Sequence, residues 1–248
     1  MSGINWFKYA SPATFYPLAG KLTVFFGIAA AVLLVMGLYL TFFIAPPADY
    51  MQGPSYKILF IHVPAAWMSM FIYIVMALWS ASAMIWRTRL SHMMAVSLAP
   101  TGALMTFIAL WTGALWGKPT WGTWWVWDAR LTSELILLFL YMGFMALASA
   151  IEERQRAARA CGLLAIVGVI NVPIIYFSVN WWNTLHQPQS LKVGEATMAG
   201  SMIAALLVMT FAFWFYCIAA ALTRVRSEIL EQESSSEWIA EMWDGGKP

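Results

Sequence analysis

Charge is scarce in this chain of 248 residues: 10% are Asp, Glu, Lys or Arg, against 61% hydrophobic residues. A chain of that length with so little polar material cannot coat a water-soluble globule. The 14 basic and 12 acidic residues nearly cancel to a net +2, which excludes the strongly basic surface that nucleic acid requires. Cysteine is scarcer still. Cys161 and Cys217 occur without a CxxC or CxxCH, so neither a redox pair nor a covalent cofactor anchor is expected, and both are read as small packed apolar side chains. GxGxxG, Walker and HExxH sequences are missing, as is any internal repeat, which removes the textual case for nucleotide binding or zinc hydrolysis. No cleavable leader is expected either, because the first apolar run is long enough to cross a bilayer and lacks a convincing small-residue cleavage site.

What is abundant is uninterrupted apolar sequence, with a mean hydropathy of +0.69. Apolar runs near 22–44, 58–86, 93–116, 132–151, 161–179 and 197–222 are each long enough to cross about 30 Å of hydrocarbon at about 1.5 Å per helical residue. Barrel strands would instead alternate over about ten residues. The expectation is an all-α integral membrane protein, a single six-transmembrane-helix bundle over residues 1–248, with a tryptophan-rich loop at 117–131 and a tail at 223–248. Lys8, Lys21, Arg87, Arg89, Arg154, Arg156, Arg159, Arg224, Arg226 and Lys247 fall on one side of these runs, and Lys57, Lys118, Arg130 and Lys192 on the other. The positive-inside rule then places both termini in the cytoplasm and the tryptophan-rich loop outside.

That loop, Trp121-Gly122-Thr123-Trp124-Trp125-Val126-Trp127-Asp128-Ala129-Arg130-Leu131-Thr132, is the most specific stretch of the chain. An interfacial aromatic belt accounts for scattered Trp; a cluster closed by an Asp and an Arg fits a flat apolar platform for a flat ligand. Two of the three histidines fall on the same side. His62 stands at the outer boundary of a second run too long for the bilayer, with Pro64 expected in the first helical turn, and His186 follows the Trp181-Trp182 pair. His92 lies among Arg87 and Arg89 on the cytoplasmic side, where it is read as a capping or snorkelling residue.

Two imidazoles and a wall of indoles suit haem, whose iron takes imidazole on both faces while its porphyrin needs apolar cover. A metal-only site has no third or fourth ligand nearby. Haem propionates would need cations: Arg130 can bind a carboxylate through its planar fork, and Lys57 and Lys118 can act as point charges. Arg130 is equally suited to an ion pair with Asp128 or Glu134. Asp128 is read first as a helix cap and second as a ligand contact. Asn171 and Pro173 in the fifth run are read as a kink with a satisfied side chain. A membrane electron-transfer protein carrying haem b would need histidines at two depths, which the spans lack, and a transporter subunit would need ionisable residues near the midplane.

The Trp121–Thr132 segment resembles the tryptophan-rich signature, the WWD domain, of haem-handling proteins. Length, six spans and the flanking His62 and His186 are similar to the haem exporter C (CcmC) branch of that family, which acts in bacterial cytochrome c maturation, and the similarity covers essentially the whole chain. The resemblance implies that haem b is held non-covalently on the periplasmic face of the inner membrane. His62 and His186 would be its axial ligands, with Trp121, Trp124, Trp125, Trp127, Asp128 and Arg130 at the cofactor-binding platform. It implies haem export and delivery to a membrane-anchored periplasmic haem chaperone that captures haem covalently. It also implies work beside an ABC-type ATPase, that ATPase's membrane subunit and a small single-span subunit, within membrane lipid. No catalytic residue is expected, and any ATP use belongs to a partner. Asp49, Gln52 and Lys57 resemble polar positions that engage haem or the chaperone, although Lys57 stands where the family pattern leads one to expect Arg.

Overall fold

Long apolar runs in a hydrocarbon solvent have one economical solution for their backbone amides, the α-helix, because every N–H finds its carbonyl within the same segment. A computed structural model describes residues 6–46, 53–186, 191–192, 195–196 and 198–244. Among them are α1 (Pro12–Tyr39), α2 (Leu59–Trp86), α3 (Arg89–Trp121), α4 (Ala129–Ala150), α5 (Arg154–Gly168), α6 (Asn171–Trp181), α7 (Gly200–Gln232) and α8 (Glu237–Asp244). They form six apolar stretches long enough to span a bilayer, with α5 and α6 sharing the fifth. The chain is a multi-pass, all-helical membrane protein. Its only described strands are the two-residue β1 (Leu191–Lys192) and β2 (Glu195–Ala196), an antiparallel pair in the connection before α7.

The helices outrun the apolar windows because their ends are set by caps rather than by hydrocarbon thickness. α1 starts at Pro12, not near residue 22: Ser11 takes the extended cap conformation and accepts the Thr14 N–H at 3.4 Å, while Pro12 occupies the first helical position. α3 runs on to Trp121 and stops where Gly122, at φ +80°, turns its N–H back to the Lys118 carbonyl at 3.1 Å. The expected loop over 117–131 is therefore corrected to Gly122–Asp128, with Trp121 and Arg130 on helices. Pro64 lies in the second turn of α2 rather than the first, since Leu59 already opens the helix. At the far end, α7 continues through Arg224 and Arg226 to Gln232, so residues 223–232 are helix rather than tail. Val225 and Ile229 pack there on Leu90 and Met93, and Arg89 pairs with Glu233 at 2.9 Å.

The fifth span breaks between Gly168 and Asn171. Pro173 offers no N–H to a continuing helix, and Asn171 turns its side-chain amide to the Ser133 carbonyl of α4 at 2.9 Å. Asn171 and Pro173 thus make a satisfied kink, as expected.

The core joins α2, α3, α4, α5 and α7 around Tyr73, Tyr141, Phe144, Met76 and Leu137. Here glycine sets how close the helices come: a Cβ at Gly102 would fall on the Tyr141 ring, and one at Gly168 on the Tyr73 hydroxyl. The close approach brings the Tyr141 hydroxyl to the Ser69 carbonyl at 2.8 Å, with the two tyrosine rings edge to face at 5.0 Å. Overpacking a tight core costs about 1–3 kcal/mol. Gly102→Ala should accordingly lower the thermal unfolding midpoint in detergent, while Gly27→Ala, with nothing within 4 Å of the new methyl, should leave it in place; equal midpoints would remove the interlock.

Candidate functional site

By alternation of the spans, the starts of α2, α4 and α7 and the ends of α1, α3 and α6 share one end of the bundle, the tryptophan end. Two lysines there are spent on backbone. Lys57 donates to the Phe42 carbonyl at 3.3 Å and sits over the Phe42 ring, tying the end of the first span to the start of α2. Lys118 donates to the Gly122 carbonyl at 3.1 Å and closes its own helix terminus. Each is tied to backbone through one of its three donors and forms no ion pair among the described residues. Asp49 and Gln52 lie outside the described residues.

Asp128 is the hub of the end. In the extended conformation that starts α4, its Oδ1 accepts the Leu131 N–H at 2.8 Å. Its Oδ2 takes the Thr184 hydroxyl and lies 3.2 Å from His186 Nδ1. Thr184 also accepts the His186 backbone N–H at 3.2 Å, so a short turn hands both side chains to one carboxylate. Burial alone would raise the Asp128 carboxyl, but the hydrogen bonds from Thr184 and Leu131 and the nearby His186 outweigh it and hold it below the usual value. For His186, burial and then the Arg130 charge push the imidazole below its ordinary 6.5, against the opposite pull of Asp128. The ring is therefore neutral near pH 7, and the contact is a hydrogen bond from Nδ1–H to a carboxylate rather than an ion pair. Nε2 keeps its lone pair.

His62 is held the same way from another side. Its Nδ1 lies 3.1 Å from Thr112 Oγ1 on α3. The Thr112 proton is already committed to the Ile108 carbonyl at 2.6 Å, so in the neutral ring the hydroxyl and the Ala109 carbonyl accept from Nδ1–H, and Nε2 carries the lone pair. Gly113 lies beneath the ring, where a Cβ would come 3.1 Å from His62 Cε1, and Trp116 meets it edge to face at 6.0 Å. One turn further, Gly117 makes the same room for Trp121, whose indole packs against His186 at 4.8 Å.

The indoles divide. Trp121 and Trp125 are half-buried, whereas Trp124 and Trp127 are 53% and 76% exposed. The indole N–H groups of Trp116 and Trp125 are buried with no partner among the described residues. Arg130, on the first turn of α4, lies within electrostatic reach of His62, His186, Asp128 and Glu134. Among the described residues it forms no ion pair, so neither pairing left open by the sequence is made. Glu134 instead accepts the Ser69 hydroxyl at 2.7 Å. His92 lies in the first turn of α3, at the opposite end of the helix from Trp121.

Thr112, Gly113, Trp116, Gly117 and Thr184 are the residues that sequence reasoning passed over. The first four carry a readable pattern, since Thr112 and Trp116, and Gly113 and Gly117, recur four residues apart on the last turns of α3. Thr184 had no local mark beyond its place two residues before His186.

The depressed imidazole makes its own prediction. A histidine less basic in the folded than in the unfolded chain costs no stability above 6.5 and weakens the fold as pH drops below it. A nuclear magnetic resonance titration should place the His186 midpoint below 6.5. Asp128→Asn, which removes the one anion favouring protonation, should move it lower still; a midpoint that rises in the variant would contradict this electrostatic arrangement.

Comparison with known proteins is consistent along the whole length. The family model CcmC: Heme exporter protein C matches residues 5–240. Heme exporter protein C of Haemophilus influenzae is 46% identical over 232 residues, covering 93% of this chain and 94% of the relative. That of Bradyrhizobium diazoefficiens is 47% identical over 228 residues, covering 92% and 86%, and that of Escherichia coli K12 is 45% identical over 235 residues, covering 95% of each. Nearly full-length identity at this level, on a six-span helical fold, means that the chain belongs to the Heme exporter protein C family.

Proposed function

We propose that this protein takes part in haem export for cytochrome c maturation, holding haem b non-covalently at the tryptophan end and presenting it for transfer. The observation that carries the reading is the pair His62 and His186. They stand at one end of the bundle, each with Nδ1 engaged by a fixed partner, so that both Nε2 atoms are left as iron ligands. Other features of the end suit the same cargo. Gly113 and Gly117 keep α3 flat beneath the rings, and among the described residues the buried Trp116 and Trp125 N–H groups find no acceptor and the Arg130 guanidinium no ion-pair partner. In this reading Trp121, Trp124, Trp125 and Trp127 cover the porphyrin, Arg130 meets a propionate, and Asp128 acts through His186 rather than on the haem itself.

The protein then sits in the bacterial inner membrane with both termini cytoplasmic and the site periplasmic, as the ten-to-four division of its 14 basic residues supports. Its role is handling and transfer without chemistry of its own. Its partners are a membrane-anchored haem chaperone that captures haem covalently and, for any ATP use, an ABC-type ATPase with its membrane subunit and a small single-span subunit.

Purified protein loaded with haem should have the low-spin absorption spectrum of a six-coordinate iron. His62→Ala or His186→Ala should convert it to a five-coordinate or weakened spectrum, and His92→Ala should leave it unchanged. A wild-type protein that takes up no haem when haem is abundant would overturn the proposal. The exposed indoles give a second test. Trp124→Ala and Trp127→Ala should reduce haem retention far more than Trp79→Ala or Trp214→Ala, which lie within α2 and α7; equal losses at all four would point to folding instead.

A further inference from the structure

We infer that the two imidazoles are unequal ligands: His186 is the stronger and His62 the weaker, the first to be released on transfer, with Thr112 as the positioning residue that sets His62. The inference rests on the haem-binding reading above.

Two independent features rank them the same way. The first is the acceptor behind each ring. An acceptor at Nδ1–H draws the proton away and makes Nε2 a better electron donor, and a carboxylate does this more strongly than a neutral hydroxyl. His186 faces Asp128 Oδ2 at 3.2 Å. His62 faces Thr112 Oγ1 at 3.1 Å, and that oxygen's own proton goes to the Ile108 carbonyl at 2.6 Å, with the Ala109 carbonyl at 3.3 Å. The Asp128 charge is shared with the Leu131 N–H and the Thr184 hydroxyl, yet it remains an anion on the far side of the ring, and His62 has no anionic hydrogen-bond acceptor among the described residues.

The second feature is packing. His186 is pinned by the Trp121 indole at 4.8 Å and by Thr184 at its own backbone N–H. His62 stands over Gly113, which offers no side chain to press on it, and its nearest ring, Trp116, is 6.0 Å away. The carboxylate-backed ring is therefore also wedged by an indole and by its own turn, whereas the hydroxyl-backed ring rests on bare backbone at Gly113. Thr112 holds it together with the Ala109 carbonyl, which also bonds the ring, and the two backbone bonds of the Thr112 hydroxyl fix the direction of the lone pair it offers.

The test uses the full-length, haem-loaded protein in detergent. Thr112→Val removes the acceptor at nearly constant shape, and Thr112→Ser keeps it. Thr112→Val should shift part of the ferric haem from six-coordinate low-spin to five-coordinate high-spin, reversibly on adding imidazole. It should also speed haem loss to excess apomyoglobin by about 10-fold or more, while Thr112→Ser stays near wild type. Asp128→Asn should remain six-coordinate and raise the reduction potential, because the better of the two donors to ferric iron is weakened. Among cavity variants, His62→Gly should retain haem longer than His186→Gly. The inference is overturned if Thr112→Val matches wild type in spectrum and loss rate, or if His62→Gly loses haem as fast as His186→Gly or faster. Either result on a wild-type protein with a bis-imidazole spectrum removes only the ranking, whereas a wild-type protein lacking that spectrum removes the haem-binding reading with it.

Discussion

A single carboxylate gathers the tryptophan end. Asp128 ends the loop, starts α4 and takes both side chains of the Thr184–His186 turn. Each of these donors is one that a membrane protein can ill leave unpaired: an amide of the first helical turn, a hydroxyl and an imidazole N–H, all at the edge of a medium that offers few alternatives. Because one acceptor satisfies all three, the positions of α4, the loop and the connection after α6 are not independent. Replacing that acceptor is expected to loosen a helix start and His186 together, which is why Asn, able to accept but uncharged, is a more informative substitution than Ala.

Deeper in the bundle, the same logic governs Glu134. A carboxyl within a spanning helix is costly unless it is paired or hydrogen-bonded. Ser69 supplies a hydroxyl at 2.7 Å, and the Tyr141 hydroxyl occupies the Ser69 carbonyl at 2.8 Å. The tight approach that Gly102 allows around Tyr141 is thus joined to the Ser69–Glu134 bond, one turn along α4 from Arg130. Small residues, a buried acid and the candidate site meet where α2, α3 and α4 pack together.

Much of this was legible in the sequence, for reasons that differ by feature. Six spans follow from solvent: apolar runs of that length admit little else. His62, His186 and the tryptophans of 121–127 could be picked out because an imidazole or an indole beside a membrane boundary is chemically conspicuous. Helix ends were less readable, because hydropathy reports where hydrocarbon lies and not where caps form. Ser11 with Pro12 and Gly122 were the available marks, and they move α1 and the loop by several residues. Lys57 and Lys118 were offered as charges for a ligand, yet each is bound to a carbonyl, a use that depends on where neighbouring chain ends fall in space. Thr112 is marked only by its spacing from Trp116, and its tie to His62 was not readable because the two lie fifty residues apart in sequence and only tertiary contact joins them.

The Ser69–Glu134 bond has a mechanical side. It joins α2 to α4 two helical turns below the level of His62 and Asp128, at a distance of about 10 Å along either helix by the usual rise per residue. Asn171 and the Thr184–His186 turn fasten the start of α6 and the segment beyond its end to α4, so His186 travels with α4 while His62 travels with α2. Were the two helices to tilt about that bond by about 5°, with an arm of about 10 Å, the separation of the imidazoles would change by about 1 Å. If the two imidazoles share one iron, as proposed, a change of that size would exceed what an iron–nitrogen bond tolerates, so the packing that holds α2 against α4 would also set the strength of the grip.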